Sequence, residues 1–237
     1  TLGGSGFGYE LAEQFGHHVF PTRAGLVPFT FSDHFKEVTT RLSGNALDAT
    51  LINDRHQFTE ALLFTHRGLS GPSSLQLSNY WHVGESFNID FFPGQDFVQF
   101  FKEKKKAQPK VLLRTLLNEF TAKSIVLELQ QLIWAELSET AIGNISDLQL
   151  EQIAAQLHAF TVKPSGTEGY RTAEVTLGGV GLGALEDGRG AARRLITARG
   201  RGRTRTCRRP RRPRRRPPRR RKPARAAQET PLAQEGY

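Results

Sequence analysis

The amino-acid sequence predicts an α+β fold in which a mostly antiparallel sheet comes first and a small cluster of helices follows. Three observations carry this. Residues 86–92 alternate, with Phe87, Ile89 and Phe91 on one side and Ser86, Asn88 and Asp90 on the other, as in a strand with one buried face. Ile125, Leu129, Leu132, Ile133 and Leu137 instead recur near the 3.6-residue period of a helix. All 16 phenylalanines and both tryptophans, Trp81 and Trp134, lie before Gly181, so the core must form there.

In chain order, Gly3, Gly4, Ser5, Gly6, Phe7 and Gly8 form a flexible loop that leads into a helix over 9–15. Leu11, Ala12 and Phe15 share one face of that helix, and Gly16 can end it. Residues 18–20 and 26–31 read as strands, followed by 46–52 and 60–65. The segment Leu63-Phe64-Thr65-His66-Arg67-Gly68-Leu69-Ser70-Gly71-Pro72 is expected to turn from strand into a helix over 73–81, with Ser70 as its cap. His66 as a proton donor near a substrate is the alternative use of this segment. A serine-hydrolase reading fails because no Gly-x-Ser-x-Gly elbow is present and no acidic partner can be assigned.

Lys102 to Lys106, interrupted by Glu103, is expected to be the solvated end of a helix that buries Phe97, Phe100 and Phe101. Val111, Leu112, Thr115, Leu116 and Phe120 make the next amphipathic segment, with Pro109 suited to its first turn. Ser146 and Gln149 have capping-box spacing ahead of Leu150, Ile153, Ala154 and Leu157. Residues 158–162 and 172–177 return to strand, the latter ending in Gly178 and Gly179.

Composition excludes several classes. With 237 residues and 38% hydrophobic content the chain can bury a core, so full disorder is excluded. The most apolar window, 124–137, is broken by Glu128, Gln130, Gln131 and Glu136, which excludes a membrane-spanning helix. Cys207 is the only cysteine, leaving no intramolecular disulfide and no cysteine metal site. His17, His18, His34, His56, His82 and His158 show no ligand spacing, so no metal site is expected. The opening residues lack the basic start and apolar stretch of an export signal, which points to the cytoplasm. A chain with no methionine that opens inside a glycine loop is expected to be part of a longer protein.

The net charge of +10 hides two unlike segments. Residues 181–237 hold 18 arginines and one lysine against four acids, whereas the residues before them hold 14 basic and 19 acidic side chains. The run at 208–222 has no apolar residue to bury, and this Arg/Pro-rich tail is expected to be disordered, with 190–237 mobile. It would bind phosphate backbones through counterion release and without sequence readout. A shifted reading frame beginning near Val180 would also yield its arginine, proline, alanine and glycine; an authentic basic tail is the competing account.

Four segments, taken in order, carry a resemblance. They are Gly-Gly-Ser-Gly-Phe-Gly-Tyr-Glu-Leu-Ala-Glu-Gln-Phe-Gly-His at 3–17, Gly-Leu-Val-Pro at 25–28, the Thr-His-x-Gly-x-Ser-Gly-Pro stretch at 65–72 and Ala-Glu-Val-Thr-Leu-Gly-Gly-Val at 173–180. Over residues 1–180 the chain resembles the YhiN/BaiN-like family of FAD-dependent oxidoreductases, also described as NAD(P)/FAD-dependent or aminoacetone-oxidase-type flavoproteins. The resemblance implies a two-part flavoprotein whose Rossmann FAD domain is built from both chain ends around an inserted β-barrel-like domain and a helical domain. This chain would be mainly the insert, with most of the Rossmann domain missing.

The division so implied is 1–17 as a remnant of the FAD-domain loop and helix, 18–95 as the β-rich inserted domain, 96–160 as the helical subdomain, 161–180 as strands returning to the FAD domain, and 181–237 as the tail. The same resemblance makes Gly4, Ser5, Gly6, Gly8, Thr176, Gly178 and Gly179 the cofactor-binding candidates. It assigns no catalytic residue. It implies FAD in the full-length parent, NAD(P)H as electron donor, and reduction of an activated double bond in a small organic or nucleoside substrate. The strand, Gly-x-Gly-x-x-Gly loop and acidic ribose ligand of the family do not occur in this chain, nor does its later Gly-Gly-Tyr-Asn segment, so the chain alone is expected to hold FAD weakly or not at all. Two other function classes remain open: a nucleic-acid-binding protein working through the tail, and a non-catalytic binding domain formed by the insert.

Overall fold

The computed structural model describes residues 5–181. The expectations for Gly3, Gly4 and the tail lie outside the described residues. Among the described residues nine strands pair throughout in antiparallel fashion. They are β1 Val19–Gly25, β2 Phe29–Thr30, β3 Ala46–Ile52, β4 Gln57–Thr65, β5 Gly68–Ser70, β6 Phe87–Asp90, β7 Phe160–Val162, β8 Gly166–Thr167 and β9 Val175–Val180. Seven form one sheet in the order β7-β6-β3-β4-β5-β2-β8, while β1 and β9 pair as a separate ribbon.

The connection between the two edge strands dictates the shape of the large sheet. Laid flat, seven strands would hold β7 and β8 about 29 Å apart. Only Lys163, Pro164 and Ser165 join them, and that link can span at most about 14 Å. The sheet therefore curls toward closure as a barrel. Ser165 fastens the seam: its N–H and its hydroxyl both donate to the Thr30 carbonyl, at 2.9 and 3.0 Å. Inside lie Phe29, Leu51, Leu62, Phe64, Leu69, Phe87 and Ile89, all buried. The Phe29 ring meets Trp81 edge-on at 5.3 Å and Phe87 at 4.9 Å.

Helices α1 Phe7–Gln14, α2 His34–Arg41 and α3 Pro72–Ser78 accompany the strands, and α4 Phe97–Ala107, α5 Leu113–Leu117, α6 Lys123–Ile133 and α7 Asp147–His158 form the helical cluster. Their starts follow local chemistry. The Asp33 carboxylate accepts from Phe35 N–H at the start of α2, and Asp96 accepts from Gln99 N–H at the start of α4. The capping box ahead of α7 forms as expected, Ser146 and Gln149 serving each other's backbone. The cluster's apolar faces, among them Phe97, Phe101, Leu116, Ile125, Leu129, Ile153 and Leu157, are buried in one core with the barrel residues. Two ion pairs tie α4 to α7, Lys102 to Glu151 at 2.8 Å and Lys105 to Asp147 at 2.7 Å. His158, the last residue of α7, contacts Asp90 of β6 at 2.8 Å and so joins cluster to barrel.

Several expectations are corrected. Ser70 does not cap α3: it lies in β5 paired with Leu63, and Gly71 occupies the cap position without any side-chain bond. Gly71 has φ +87, and a Cβ there would sit 2.5 Å from the Ala61 carbonyl, so strand β4 passes too close for any side chain. The helix ends at Ser78 rather than residue 81, because the backbone of 79–81 is drawn into bonds with Arg23, Asn53 and Arg55. Pro109 does not open a helix: α5 begins at Leu113, and the Pro109 and Val111 carbonyls instead accept from Gly143 and Ile142 N–H groups at 2.8 Å. Phe100 is only half-buried. The lysine run is paired more fully than a merely solvated helix end, with Lys104 also reaching Glu119 at 3.1 Å. Strand β8 escapes sequence reading because two residues carry no period.

Candidate functional site

The described candidates, Ser5, Gly6, Gly8, Thr176, Gly178 and Gly179, lie at the start of α1 and on β9 of the ribbon that it packs against. Ala24 pairs with Thr176, Arg23 with Leu177 and Phe20 with Gly179, leaving Pro21 and Thr22 bulged opposite Gly178. Pro21 has no N–H to give the ladder, which favours a bulge at this point. Gly178 and Gly179 have φ of +84 and +102. A Cβ on Gly178 would fall 2.2 Å from the Pro21 carbonyl oxygen, so the bulge and the glycine require each other. A Cβ on Gly179 would meet the Tyr9 ring at 3.2 Å.

Tyr9 thus packs the first turn of α1 onto β9, and Ser5, Gly6 and Gly8 immediately precede it. Gly6 sits at the N-cap with ordinary helical dihedrals and no side-chain cap, and all three residues are exposed. Nothing approaches a Cβ on Gly8 within 4 Å, and only the Glu10 carboxylate comes within 3.9 Å of one on Gly6. The far end of α1 closes by two hydrogen bonds: Gly16 N–H donates to Glu13 O at 2.8 Å and His17 N–H donates to Ala12 O at 3.0 Å. Gly181 N–H then donates to His18 O at 2.9 Å, continuing the ribbon one step past the Val19–Val180 pair. Gly4 lies outside the described residues, and Thr176 is exposed on the ribbon. Phe7, Leu11, Phe20 and Val175, between 40% and 66% exposed, give this corner an apolar surface.

His66 and Arg67 are not part of this corner. They form the tight turn between β4 and β5, with His66 exposed and Arg67 3.7 Å from Glu168. Two clefts of about 380 Å³ also lie elsewhere. One, between α6 and α7, is lined by Gln131, Trp134, Gln149, Gln152 and Gln156; the other lies beside Asp48, Phe92 and Phe120.

Sequence reading missed Arg23. From β1 its guanidinium donates to the carbonyls of Asn79 and Trp81, while Asn79 Oδ1 accepts from Leu26 N–H at 2.8 Å. These bonds fasten the ribbon to the loop after α3. Across the same loop, Arg55 donates to both Glu85 carboxylate oxygens, at 2.8 and 2.6 Å. That pairing, with the His82 N–H as a second donor, holds the Glu85 carboxyl below the usual carboxylate range. An arginine preceding a buried strand is no local signal, since its partners lie in another element.

Residues 23–175, from the ribbon through the barrel and helical cluster to the first residue of β9, match the family described as HI0933-like protein barrel and H2TH domain. The chain belongs to this flavoprotein-related family. It is 42% identical over 195 residues to the ribosomal RNA dihydrouridine synthase of Escherichia coli (strain K12), an alignment covering 82% of this chain and 48% of that protein. A protein of the same name from Haemophilus influenzae is 44% identical over 183 residues, covering 76% of this chain and 44% of its own length. The chain spans about half the length of the curated relatives it matches. Their name differs from the aminoacetone-oxidase type, and the resemblance is carried as far as the flavoprotein-related family. Among the described residues no helix is long and apolar enough to cross a membrane.

Proposed function

We propose that this chain is the barrel and helical portion of an FAD-dependent reductase that saturates the C5–C6 double bond of uridine in ribosomal RNA. The observation that carries the reading is 42% identity over 195 residues to a protein named for that product. The C5–C6 bond of uracil is conjugated with a carbonyl, which makes it an activated double bond in a nucleoside, the substrate class that the family resemblance implies.

Ser5, Gly6 and Gly8 would hold the cofactor. The open space at Gly6 and Gly8 and the unpaired N–H groups that begin a helix fit close approach by a phosphate or ring edge. Gly178 and Gly179 would act differently: the volume a side chain would need is taken by Pro21 and Tyr9, so they shape the ribbon on which the first turn of α1 rests. Thr176 would offer its exposed hydroxyl beside them. Bound and reduced by NAD(P)H, FAD would supply a hydride to one carbon of the uracil double bond while a proton adds to the other. The return to the flavin domain, expected over 161–180, would run through β9, a reading supported by β7 and β8 being edge strands of the large sheet.

The test uses the full-length parent with FAD and NADPH on ribosomal RNA from cells lacking its gene. Mass spectrometry of nuclease digests should find uridine carrying two additional hydrogens. A flavin-loaded parent that leaves every uridine unreduced overturns the reading.

A further inference from the structure

On the barrel surface beside the ribbon, three rings lie nearly parallel. His56 stacks on Tyr80 with centroids 3.7 Å apart and planes 23° apart. Phe58 lies 5.8 Å from Tyr80 at 19°, and 6.3 Å from His56 at 7°. The inner member, Phe58, is half-buried, whereas His56 is exposed and Tyr80 keeps 40% of its surface in water.

Both outer rings are held from behind. Asn53 Oδ1 accepts from the N–H groups of Arg55 and His56, at 3.0 and 2.8 Å, and so sets the turn that presents His56. The Tyr80 carbonyl accepts from Asn53 Nδ2 at 3.0 Å and from Arg55 at 2.9 Å. Its neighbours Asn79 and Trp81 give their carbonyls to Arg23, and Trp81 Nε1 donates to Glu85 O at 2.8 Å. A loop tied at every residue that still displays its aromatic ring to solvent is pre-organised for a planar partner rather than for core packing.

Charge supports the same partner. The Arg23 guanidinium donates to the neutral carbonyls of Asn79 and Trp81, and among the described residues no carboxylate lies within 4.0 Å of it, so its positive charge is held on the backbone that flanks Tyr80. Arg23 also pairs with Leu177, one residue from Thr176 and from Gly178. Arg23 therefore links the loop that carries Tyr80, through its side chain, to the strand that carries the cofactor-side candidates, through its ladder position.

We infer that the His56–Tyr80–Phe58 stack is a landing platform for an unpaired nucleobase of RNA, with Arg23 placed for the adjoining phosphate. Every base has a face that can stack on such rings, while the backbone meets the cation. The inference rests on the RNA reading above and deepens it. The platform takes a base beside the reacting uridine and positions the strand.

The test compares binding of single-stranded oligouridylate with that of an abasic oligomer of equal length and charge, using the full chain at physiological salt. The arginine tail meets both oligomers with the same phosphates, so the ratio reports base stacking. The wild-type chain should prefer oligouridylate about tenfold. Tyr80→Ala and, separately, His56→Ala should bring the ratio close to one with unchanged abasic affinity, and Tyr80→Phe should keep the preference. Fluorescence of the two buried tryptophans, Trp81 and Trp134, monitors folding of the variants, and the pair at different positions guards against a single misfolded one. No preference in the wild-type chain, a preference surviving both alanine variants, or its loss in a folded Tyr80→Phe overturns the inference. Uridine reduction by the parent without any such preference would sink the platform alone; preference without reduction would sink the proposed reaction alone.

Discussion

At the residue scale the two groups of glycines answer to different demands. Gly178 faces the Pro21 carbonyl oxygen and holds φ +84, so Gly178→Ala combines a clash with backbone strain. It should cost about 2 kcal/mol, seen as a lowered thermal midpoint together with faster hydrogen exchange confined to the β1–β9 ribbon. Gly8 lies inside α1 with open space around it, and Gly8→Ala should leave stability unchanged or raise it by about 0.5–1 kcal/mol through helix propensity. If Gly8 admits the cofactor, the same substitution in the parent should weaken FAD retention on gel filtration; full retention would remove Gly8 from the site. The glycine spacing was visible in the sequence as loop and strand end. What separates the groups, the bulge at Pro21 and the ring of Tyr9, comes from strands brought together only by folding.

At the scale of elements, caps and ion pairs carry the predictions. Ser146→Ala removes one half of the capping box and should cost about 1 kcal/mol, with loss of helical ellipticity as the readout. A hydrogen bond from Lys105, with its charge, lowers the pKa of the Asp147 carboxyl at the first residue of α7. A depressed folded-state pKa contributes stability above the unfolded value, and that contribution is lost as pH falls through the folded one. The acid limb below about pH 4 should therefore be shallower in Asp147→Asn than in the wild-type chain. An unchanged limb would show that the exposed Lys105 pair contributes nothing. Helix α7 and strand β6 were legible because each writes its own signal: a capping box followed by helically spaced apolar residues in the one, a clean alternation in the other. Pro109 and Ser70 misled because their residue types favour caps and first turns in general, whereas here carbonyls and strands from elsewhere claim them. Strand β2 was read within 26–31, whereas the short β8 could not be placed, since its role is set by the register of the sheet it completes.

At the scale of the whole molecule, closure of the barrel by a three-residue link and the unequal division of charge have opposite standing. Closure follows from chain connectivity and needs no particular side chain. The charge division sets up an electrostatic experiment: before Gly181 the chain holds 14 basic and 19 acidic residues, and beyond it 19 basic and four acidic. A body of net negative charge repels a duplex, so duplex affinity must come from the tail. The full chain should bind random-sequence duplex RNA with an affinity that falls steeply and linearly on a log–log plot against salt, and a chain ending at residue 181 should lose nearly all of it. Base stacking on Tyr80 is a separate contact with single strands and should survive that truncation as a ratio between oligouridylate and abasic oligomer. Salt-insensitive duplex binding, or duplex binding retained by the shortened chain, would move the phosphate contacts from the tail onto the barrel, where the unpaired charge of Arg23 would be the first residue to substitute.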